Sequence, residues 1–131
     1  MKLQTATRLG LYAILELARD PARTLSVADL AERFGVSTHS LAKVLRTLSA
    51  AGLVQGGRGA SGGYRFTGNR RRLTLMDIVA LFEPVPGSRA EEPGEETEIG
   101  AALRRVLTEI DEIAEATLRS ISLETMLRRP T

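Results

Sequence analysis

Cysteine and tryptophan are absent from this 131-residue chain, and histidine occurs once, as His39. Without cysteine there can be no disulfide and no thiolate metal site, and this composition favours an intracellular, cytoplasmic protein. His39 has no second histidine or cysteine with which to bind a metal, and no serine–aspartate or cysteine constellation accompanies it for catalysis. The sequence therefore predicts no catalytic residue, no metal site and no cofactor, and the protein is not expected to be an enzyme.

Long apolar runs are also missing, since no stretch approaches the roughly 18 residues that a membrane span requires. The N-terminal segment MKLQTATRLGLYAILELA carries Arg8 and Glu16 at helical spacing, and no small-residue cleavage site follows it. It is therefore not expected to be a signal peptide. With 43% hydrophobic residues, the chain has enough apolar surface to form one domain with a core of its own.

Acidic residues are scarce in the first part of the chain. Residues 1–82 hold twelve Lys/Arg against five Asp/Glu, a net charge of +7, whereas residues 83–131 hold six against eleven, a net charge of −5. A basic front half favours a polyanion as the partner. Chance unevenness among solvated charges would give the same count, so the motifs have to decide.

Three amphipathic helices are predicted in this basic half, over residues 4–19, from Ser26 to Gly35, and from Ser37 onward. Ser26 and Asp29 have the spacing of a capping box, and a glycine such as Gly35 is a typical helix end. The short FGVST turn between the second and third helices is typical of a helix-turn-helix. Two strand-like stretches, GLVQG and GYRFT, follow at once and predict a β-hairpin. The expected fold is mainly α with a small β-hairpin, a winged helix-turn-helix.

The loop between these strands, GGRGASGGYRF at residues 56–66, contains five glycines and two arginines. A nucleotide-binding P-loop needs a lysine and a hydroxyl after its last glycine and opens a helix, whereas Gly63 leads into Tyr64 and a strand. The strand patterns on both sides argue against a flexible linker. A hairpin tip against DNA fits best, because Gly59, Gly62 and Gly63 allow positive φ and close approach to phosphates. Arg58 can then extend into a minor groove.

The same architecture indicates where DNA would be contacted. A recognition helix places its N-terminal residues on base edges. His39 lies in this first turn and is a candidate DNA contact, but it is equally consistent with an ordinary exposed residue near a helix cap. Arg70, Arg71 and Arg72 would add positive charge near the wing. The candidate contacts from this reasoning are Thr38, His39, Ser40, Ala42, Lys43, Arg46, Arg58, Ser61 and Arg65.

The back half is organised differently. Thr74 and Asp77 form a second capping box that opens a helix over LMDIVALF, and residues 84–98, rich in Pro, Gly and Glu, are expected to be a mobile acidic loop. A long helix over 98–120 and a short last helix or turn follow. The long helix carries a nearly heptad apolar seam, which predicts pairing with a second helix in a homodimer. Its members are Ile99, Leu103, Val106, Ile110, Ile113 and Thr117.

Taken together, these patterns divide the chain into three parts: a winged helix-turn-helix domain at 1–83, an acidic loop at 84–98, and a dimerisation helix with a short C-terminal helix at 99–131.

Several of these stretches resemble the Rrf family of small winged-helix repressors, which includes the iron–sulfur-cluster regulator and the nitric-oxide-sensitive repressor. The most specific part is GLV…RGASGGYRF, and LAERFGVS and the ISLETM ending support it. The resemblance covers nearly the whole chain and implies homodimers on pseudo-palindromic DNA operators. Carried over position by position, the family's DNA contacts fall on Ser37, His39, Ala42, Lys43, Arg58 and Gly59. Ala42 is shorter than the polar residue of some members, which leaves the base preference there open.

The sensor part of the family pattern is missing. The cysteine positions of cluster-binding members fall here on Ser88, Gly94 and Gly100, and the histidine position falls near Leu103, so no thiolate is available for an iron–sulfur cluster. A run of glutamates in the loop could suggest a metal site, but without histidine or cysteine it is more typical of a solvated segment. These glutamates are Glu91, Glu92, Glu95, Glu96 and Glu98.

The sequence therefore predicts a sequence-specific transcriptional regulator, a homodimeric repressor without a cysteine-ligated cluster, whose partner is double-stranded DNA and not a membrane. An effector, either a small molecule or another protein, is left open. The alternative is a winged-helix module that binds a protein and does not read DNA. Arg58 in its glycine-rich tip and the basic front half argue against this alternative.

Overall fold

The computed structural model of the chain describes residues 2–57, 63–84 and 91–129. Within these ranges the chain forms six helices and a two-stranded antiparallel sheet. In chain order they are α1 (Thr5–Arg19), α2 (Val27–Phe34), α3 (Thr38–Ala50), β1 (Val54–Gly56), β2 (Tyr64–Phe66), α4 (Leu75–Val79), α5 (Glu98–Arg119) and α6 (Leu123–Arg128).

The core is built on α1, whose apolar stripe packs against α3, α4, β2 and α6. Ile14 and Leu17 of α1 are fully buried, as are Leu41, Leu45 and Leu48 of α3. These positions follow the 3.6-residue period, because only one face of each helix turns inward. The predicted amphipathic character of α2 and α3 is confirmed, since α2 buries Leu30 and Ala31 and α3 also buries Val44 on the same face.

The predicted helix ends of the helix-turn-helix are also confirmed. The Ser26 hydroxyl accepts a hydrogen bond from the Asp29 amide and the Asp29 carboxylate accepts one from the Ser26 amide, so both halves of the capping box are present. Gly35 ends α2 with a left-handed φ of 63°. Capping of this kind satisfies amide groups that the helix leaves unpaired. It fixes where α3 begins relative to α2.

The hairpin follows α3 after a three-residue turn. Val54 pairs with Phe66, Gln55 with Arg65 and Gly56 with Tyr64. Tyr64 also forms an antiparallel bridge with Leu25, through hydrogen bonds of 2.9 and 2.7 Å in the two directions. Leu25, two residues before α2, therefore extends the sheet and ties the hairpin to the helix-turn-helix.

Helix α4 is shorter than the sequence predicts. The Thr74–Asp77 capping box is present, but the regular helix ends at Val79 and not at the proline. The Leu81 and Phe82 amides instead donate to carbonyls three residues back, at Ile78 and Val79. This tighter turn brings the Phe82 ring against Gly10 of α1, where a Cβ atom would lie within 2.8 Å of the ring.

The C-terminal helix α6 returns to the core. Backbone hydrogen bonds join Leu75 to Ile121 and Leu123 to Leu73, at 2.9 and 2.8 Å, and the Leu123 side chain is fully buried. The C-terminal end of α5 is thus held beside α4. In the described part of the acidic loop, residues 93–97 form a hydrogen-bonded turn and not irregular chain.

None of the helices in the described ranges is long and apolar enough to cross a membrane.

Candidate nucleic-acid interface

The outer side of α3 presents a polar and positively charged surface. Its first turn, Thr38, His39 and Ser40, is exposed, and Lys43 and Arg46 continue the exposed side at helical spacing. Ala42 is half-buried. Short donors and acceptors at the N-terminal end, with cations further along, match a helix that inserts its first turn into a DNA groove.

Ser37 is also exposed, but its hydroxyl is already engaged. Its oxygen accepts from the Ser40 amide at 3.0 Å, and it donates to the Ser40 hydroxyl at 3.0 Å. Ser40 keeps its own hydroxyl hydrogen for another acceptor. Of the two serines, Ser40 is therefore better placed to donate to DNA, while Ser37 holds the start of the helix.

The hairpin base lies beside α3, and its pairing continues beyond the strands, because the Gly57 amide donates to the Gly63 carbonyl at 2.8 Å. Residues 58–62 lie outside the described part of the chain, and with them the predicted contacts Arg58, Gly59 and Ser61. Arg65 projects from the exposed side of β2 and donates to Gln55 across the ladder at 2.8 Å.

Gly63 serves a different purpose from the one expected. Positive φ occurs among the described glycines at Gly35, Gly52 and Gly94, and Gly63 is not one of them. A Cβ atom at Gly63 would lie 2.9 Å from the carbonyl carbon of Leu25. The close approach that requires a glycine here is to the backbone of Leu25 and Ser26 within the protein.

The three arginines that follow the hairpin differ in their partners within the fold. Arg70 donates to the Ala18 carbonyl at 3.0 Å, at the C-terminal end of α1. Arg71 lies 3.3 Å from Glu124 of α6. Both guanidinium groups thus bind parts of the fold, although the Arg71 side chain is 80% exposed. Among the described residues, only the Arg72 guanidinium of the three has no ion pair or hydrogen bond.

A second group of arginines surrounds the buried carboxylate of Glu16 on α1. Arg19, Arg23 and Arg33 lie 3.1, 3.4 and 3.0 Å from its oxygens, and Arg23 also donates to the Glu16 carbonyl at 2.7 Å. A buried charge requires such partners. This cluster joins α1, α2 and the turn between them, and because one carboxylate offsets only one of the three cations, it keeps a net positive charge.

The cations that remain free in the described part of the basic half are few. Lysines and arginines with no side-chain ion pair or hydrogen bond there are Lys2, Arg8, Lys43, Arg46 and Arg72. Two of them, Lys43 and Arg46, lie on the exposed side of α3. The helix that the sequence marks as the recognition helix thus presents two cations whose side chains have no ion pair or hydrogen bond within the described residues.

The local fold of α2 shifts the ionisation of the Asp29 carboxylate. The hydrogen bond from the Ser26 amide, followed by that from the Ser26 hydroxyl, lowers the pKa of Asp29 below its ordinary value. It therefore stays charged in the first turn of α2, where a negative charge is favourable.

In contrast to the polar, positively charged side of α3, helix α5 has an exposed apolar face. It contains no buried residue among those described, and six of its apolar side chains are between 50% and 83% exposed. They include Ile99, Leu103, Val106, Ile110 and Ile113 of the predicted seam, together with Leu107, which the sequence analysis did not include. Thr117 is exposed on the same side and donates to the Ile113 carbonyl.

Comparison with known proteins identifies the family. Residues 3–129 match the Rrf2 family, described as iron-dependent transcriptional regulators. The chain belongs to the Rrf2 family. A protein named as an HTH-type transcriptional regulator, BadM of Rhodopseudomonas palustris, is 48% identical over 128 residues, which cover 98% of this chain and 82% of BadM.

Solved structures agree with this assignment. CymR, the global cysteine regulator of B. subtilis, is 30% identical and superposes with a TM-score of 0.80 over 100% of this chain and 99% of CymR. IscR of T. potens is 29% identical, with a TM-score of 0.76 over 98% of this chain and 87% of IscR. This Rrf2 chain is thus a winged-helix, DNA-binding transcriptional regulator and not an enzyme. The alternative of a module that does not read DNA is set aside.

The residues present do not fit an iron–sulfur cluster, although the family is described as iron-dependent. There is no cysteine anywhere in the chain. At Gly100, one of the positions that the family pattern gives to a cysteine, a Cβ atom would lie 2.7 Å from the carbonyl carbon of Gly94 and closer still to its oxygen. Across the described ranges, no group of three or more His, Asp or Glu side chains is arranged to hold a metal.

Two features of the site were not predicted. The bridge between Leu25 and Tyr64 has no local signal in the sequence, since a single paired residue does not form an alternating pattern. The pairing of Arg104 with Glu95, at 2.7 Å, joins a helix to a loop nine residues away. The opposite charges of the two residues are visible in the sequence, but their pairing depends on how the loop folds back onto α5, which the sequence does not show.

Proposed function

We propose that this Rrf2 regulator binds its operator as a homodimer joined through α5 and acts there as a repressor. In each protomer, the first turn of α3 enters a major groove and the tip of the β1–β2 hairpin reaches the adjoining minor groove. The two-fold symmetry of such a dimer requires a pseudo-palindromic site, because each protomer reads one half.

The observation that carries the proposal is the exposed apolar face of α5. Apolar side chains of this size are expected to leave water, and a continuous stripe of them indicates an interface and not scattered surface residues. Small residues, Ala102 and Ala116, flank one edge of the stripe. They would let a second α5 approach closely, as in paired helices of coiled-coil type.

The DNA-facing side is supported by the distribution of free charge. Lys43 and Arg46 carry unpaired cations on α3, while Arg19, Arg23, Arg33 and Arg70 are engaged within the fold. Arg58 and Gly59 at the hairpin tip, and the repressing direction of control, rest on the sequence pattern and on the family resemblance. A DNA partner implies that the protein works in the cytoplasm.

Selection of bound fragments from random DNA, followed by footprinting on the selected site, tests the proposal. The expected result is a two-fold symmetric site with protection of two major-groove segments one helical turn or a multiple of it apart. An asymmetric site, or a site protected by a single protomer, would contradict the dimer. Repression is tested separately with the selected site placed over a promoter, where added protein should lower transcript yield.

The wing is tested on the same site with two variants. Arg58→Ala should weaken binding about tenfold, since a lost groove contact costs about 1–3 kcal/mol, and the loss should be larger on A·T-rich flanks if the arginine reads groove width. Lys43→Ala should instead change preference inside the half-site. Unchanged binding by Arg58→Ala on every DNA tested would exclude the hairpin as a DNA-binding wing.

A further inference from the structure

Residues 92–97, which lead into α5, are held by a set of hydrogen bonds within the turn and to the first turn of the helix. The Glu95 amide donates to the Glu92 carbonyl at 3.2 Å, and the Thr97 amide donates to the Gly94 carbonyl at 3.0 Å. The Thr97 hydroxyl donates to the Gly94 carbonyl at 2.5 Å and accepts from the Gly100 amide at 3.0 Å. Thr97 thus caps the helix and closes the preceding turn at the same time.

Two glycines allow the turn to fold onto the helix. Gly94 has a φ of 92°, a conformation that residues with side chains rarely adopt. Its carbonyl group lies so near Gly100 that a Cβ atom there would be 2.7 Å from the carbonyl carbon. The contact between these two glycines excludes any side chain at position 100.

The Glu95 carboxylate connects the turn to α5. Oε2 of Glu95 accepts from the Glu92 amide at 3.0 Å and from Nη1 of Arg104 at 2.7 Å. Arg104 lies on the second turn of α5, so the ion pair joins the loop to the helix across the first turn. The side chains of Arg104 and Glu95 are 42% and 21% exposed, and the pair is therefore only partly shielded from solvent.

We propose that these residues, the Glu92–Thr97 turn with Gly100 and Arg104, form a metal-free clasp that positions the first turn of α5. The clasp occupies the place where the family pattern has cysteine positions, at Gly94 and Gly100, and it fills that place with protein contacts alone. Arg104 and Glu95 act as positioning residues, because they hold the helix start without contacting DNA.

The clasp matters for function through Ile99 and Leu103. These two residues are the first members of the apolar seam. Ile99 lies on the first turn, which the clasp holds, and Leu103 lies on the second turn beside Arg104. If the first turn frays, Ile99 loses its fixed position on the seam and the helix that carries Leu103 loses its support. The effect on DNA binding rests on the proposed homodimer, whereas the effect on the helix itself does not.

Arg104→Gln tests the ion pair, with Arg105→Gln as the matched control. Arg105 is exposed and has no side-chain partner among the described residues, so both variants remove one positive charge from neighbouring positions. Arg104→Gln should speed hydrogen exchange of the Gly100 and Ala101 amides by about 1.5-fold to fivefold, the range for a partly exposed ion pair. It should weaken dimerisation by a similar factor, and Arg105→Gln should change neither.

The double variant Glu95→Arg/Arg104→Glu provides the rescue. It restores an opposite-charge pair, so exchange should return toward the wild-type rate, less the contribution of the lost Glu92 amide bond. Equal exchange rates in wild type and Arg104→Gln, or no recovery in the double variant, would overturn the role of the ion pair.

Gly100→Ala tests the contact between Gly94 and Gly100. It should destabilise the start of α5, although alanine has a higher helix propensity than glycine. Alanine normally stabilises a helix relative to glycine, but here its methyl group would push Gly94 away and open the turn. Faster amide exchange at 97–101 is expected, and slower exchange would overturn the close packing. Added ferrous iron or a chelator should leave wild-type exchange unchanged, and protection that depends on iron would exclude a metal-free clasp.

The two proposals fail in different ways. Sedimentation of the wild-type protein shows whether a dimer forms at all, whatever the clasp does. If the wild type is monomeric, the proposed function fails while amide exchange still decides the clasp. If the dimer is present and Arg104→Gln leaves exchange unchanged, the clasp fails alone.

Discussion

The winged-helix body and α5 contain similar apolar residues in similar helical patterns, yet they place them in opposite surroundings. In the body, Ile14, Leu17, Leu41 and Leu48 are completely buried. In α5, Ile110 and Ile113 remain 50% and 67% exposed. A helical apolar stripe therefore shows that a face needs a partner, but only the fold shows whether the same chain supplies it.

The difference predicts two kinds of stability. The body is held by contacts within one chain, so its unfolding should not depend on protein concentration. In the proposed homodimer, the seam of α5 is covered by a second chain, so its contribution should grow with protein concentration, as for any interaction that binds the folded state alone. The following experiments separate the two contributions, beginning with the largest effect.

Replacing Ile110 and Ile113 with glutamate should abolish the dimer while leaving the body folded. Each unpaired carboxylate forced into an apolar interface costs about 3–5 kcal/mol, so the dissociation constant should rise by more than about a thousandfold for the pair. Analytical ultracentrifugation over a micromolar concentration range gives the oligomeric state, and circular dichroism shows whether the helices persist.

Thr108→Glu is the control for this experiment, since Thr108 is exposed on the side of α5 away from the seam. It adds the same charge to the same helix and should leave dimerisation intact. A double seam variant that still sediments as a dimer would mean that α5 is not the interface, and the contrast between the two regions would lose its functional meaning.

Leu123→Ala should produce the largest loss within the body. This side chain from α6 is fully buried against the core, and a leucine-to-alanine change at such a site costs about 2–5 kcal/mol. Urea unfolding should show the same loss at low and high protein concentration. Met126→Ala, at a more exposed position on the same helix, should have a much smaller effect. A loss that changed with concentration would place Leu123 in the interface and not in the core.

Much of the body was predictable because its signals are local. The capping boxes at Ser26 and Thr74 and the glycine at 35 lie within a few residues of the groups they satisfy, and the structure contains all three. The hairpin was predictable for the same reason, from its alternating strands. The early end of α4 was not, because it depends on packing between Phe82 and Gly10, which are 72 positions apart.

The candidate site was predictable in outline but not in its charge. The sequence counts all arginines equally, so Arg70 and Arg71 looked like part of a basic surface. Their engagement with Ala18 and Glu124 depends on how the chain folds back, and no local pattern records it. The exposed side of α3 was predictable because the buried side follows a clear helical period.

This distinction between free and engaged cations leads to a prediction of intermediate size. Lys43→Ala should weaken DNA binding about tenfold, or about 1.4 kcal/mol, without changing the free energy of unfolding, because Lys43 has no partner within the described fold. If it contacts a phosphate, the slope of log K against log salt should fall by about 0.9. Arg70→Ala should do the reverse and lower stability by about 1–2 kcal/mol through loss of its bond to the Ala18 carbonyl.

Fluorescence anisotropy at several salt concentrations and urea unfolding of both variants give the two quantities. The Arg70→Ala protein should bind DNA with nearly wild-type affinity under conditions where it remains folded. Equal losses of affinity in both variants would show that Arg70 exchanges its internal partner for a phosphate on binding, and the separation of free from engaged cations would then be wrong.

The smallest expected effect belongs to Asp29. This residue lies in the winged-helix body, whose stability should not depend on protein concentration. Hydrogen bonds from Ser26 lower the pKa of Asp29 in the folded state below the value of 3.8 for an unperturbed carboxyl. A lowered folded-state pKa means that ionised Asp29 stabilises the fold above the unfolded value, and that this contribution disappears as pH falls through the folded-state pKa. Wild type should thus exceed Asp29→Asn in stability by a constant amount above about pH 5, with the gap closing below 3.8.

Urea unfolding between pH 2.5 and 6, at two protein concentrations, measures this gap, and Glu32→Gln removes the same charge from the same helix as a control. A gap that widened toward acid would reverse the sign of the linkage, and a gap that varied with concentration would place the start of α2 in contact with a second chain.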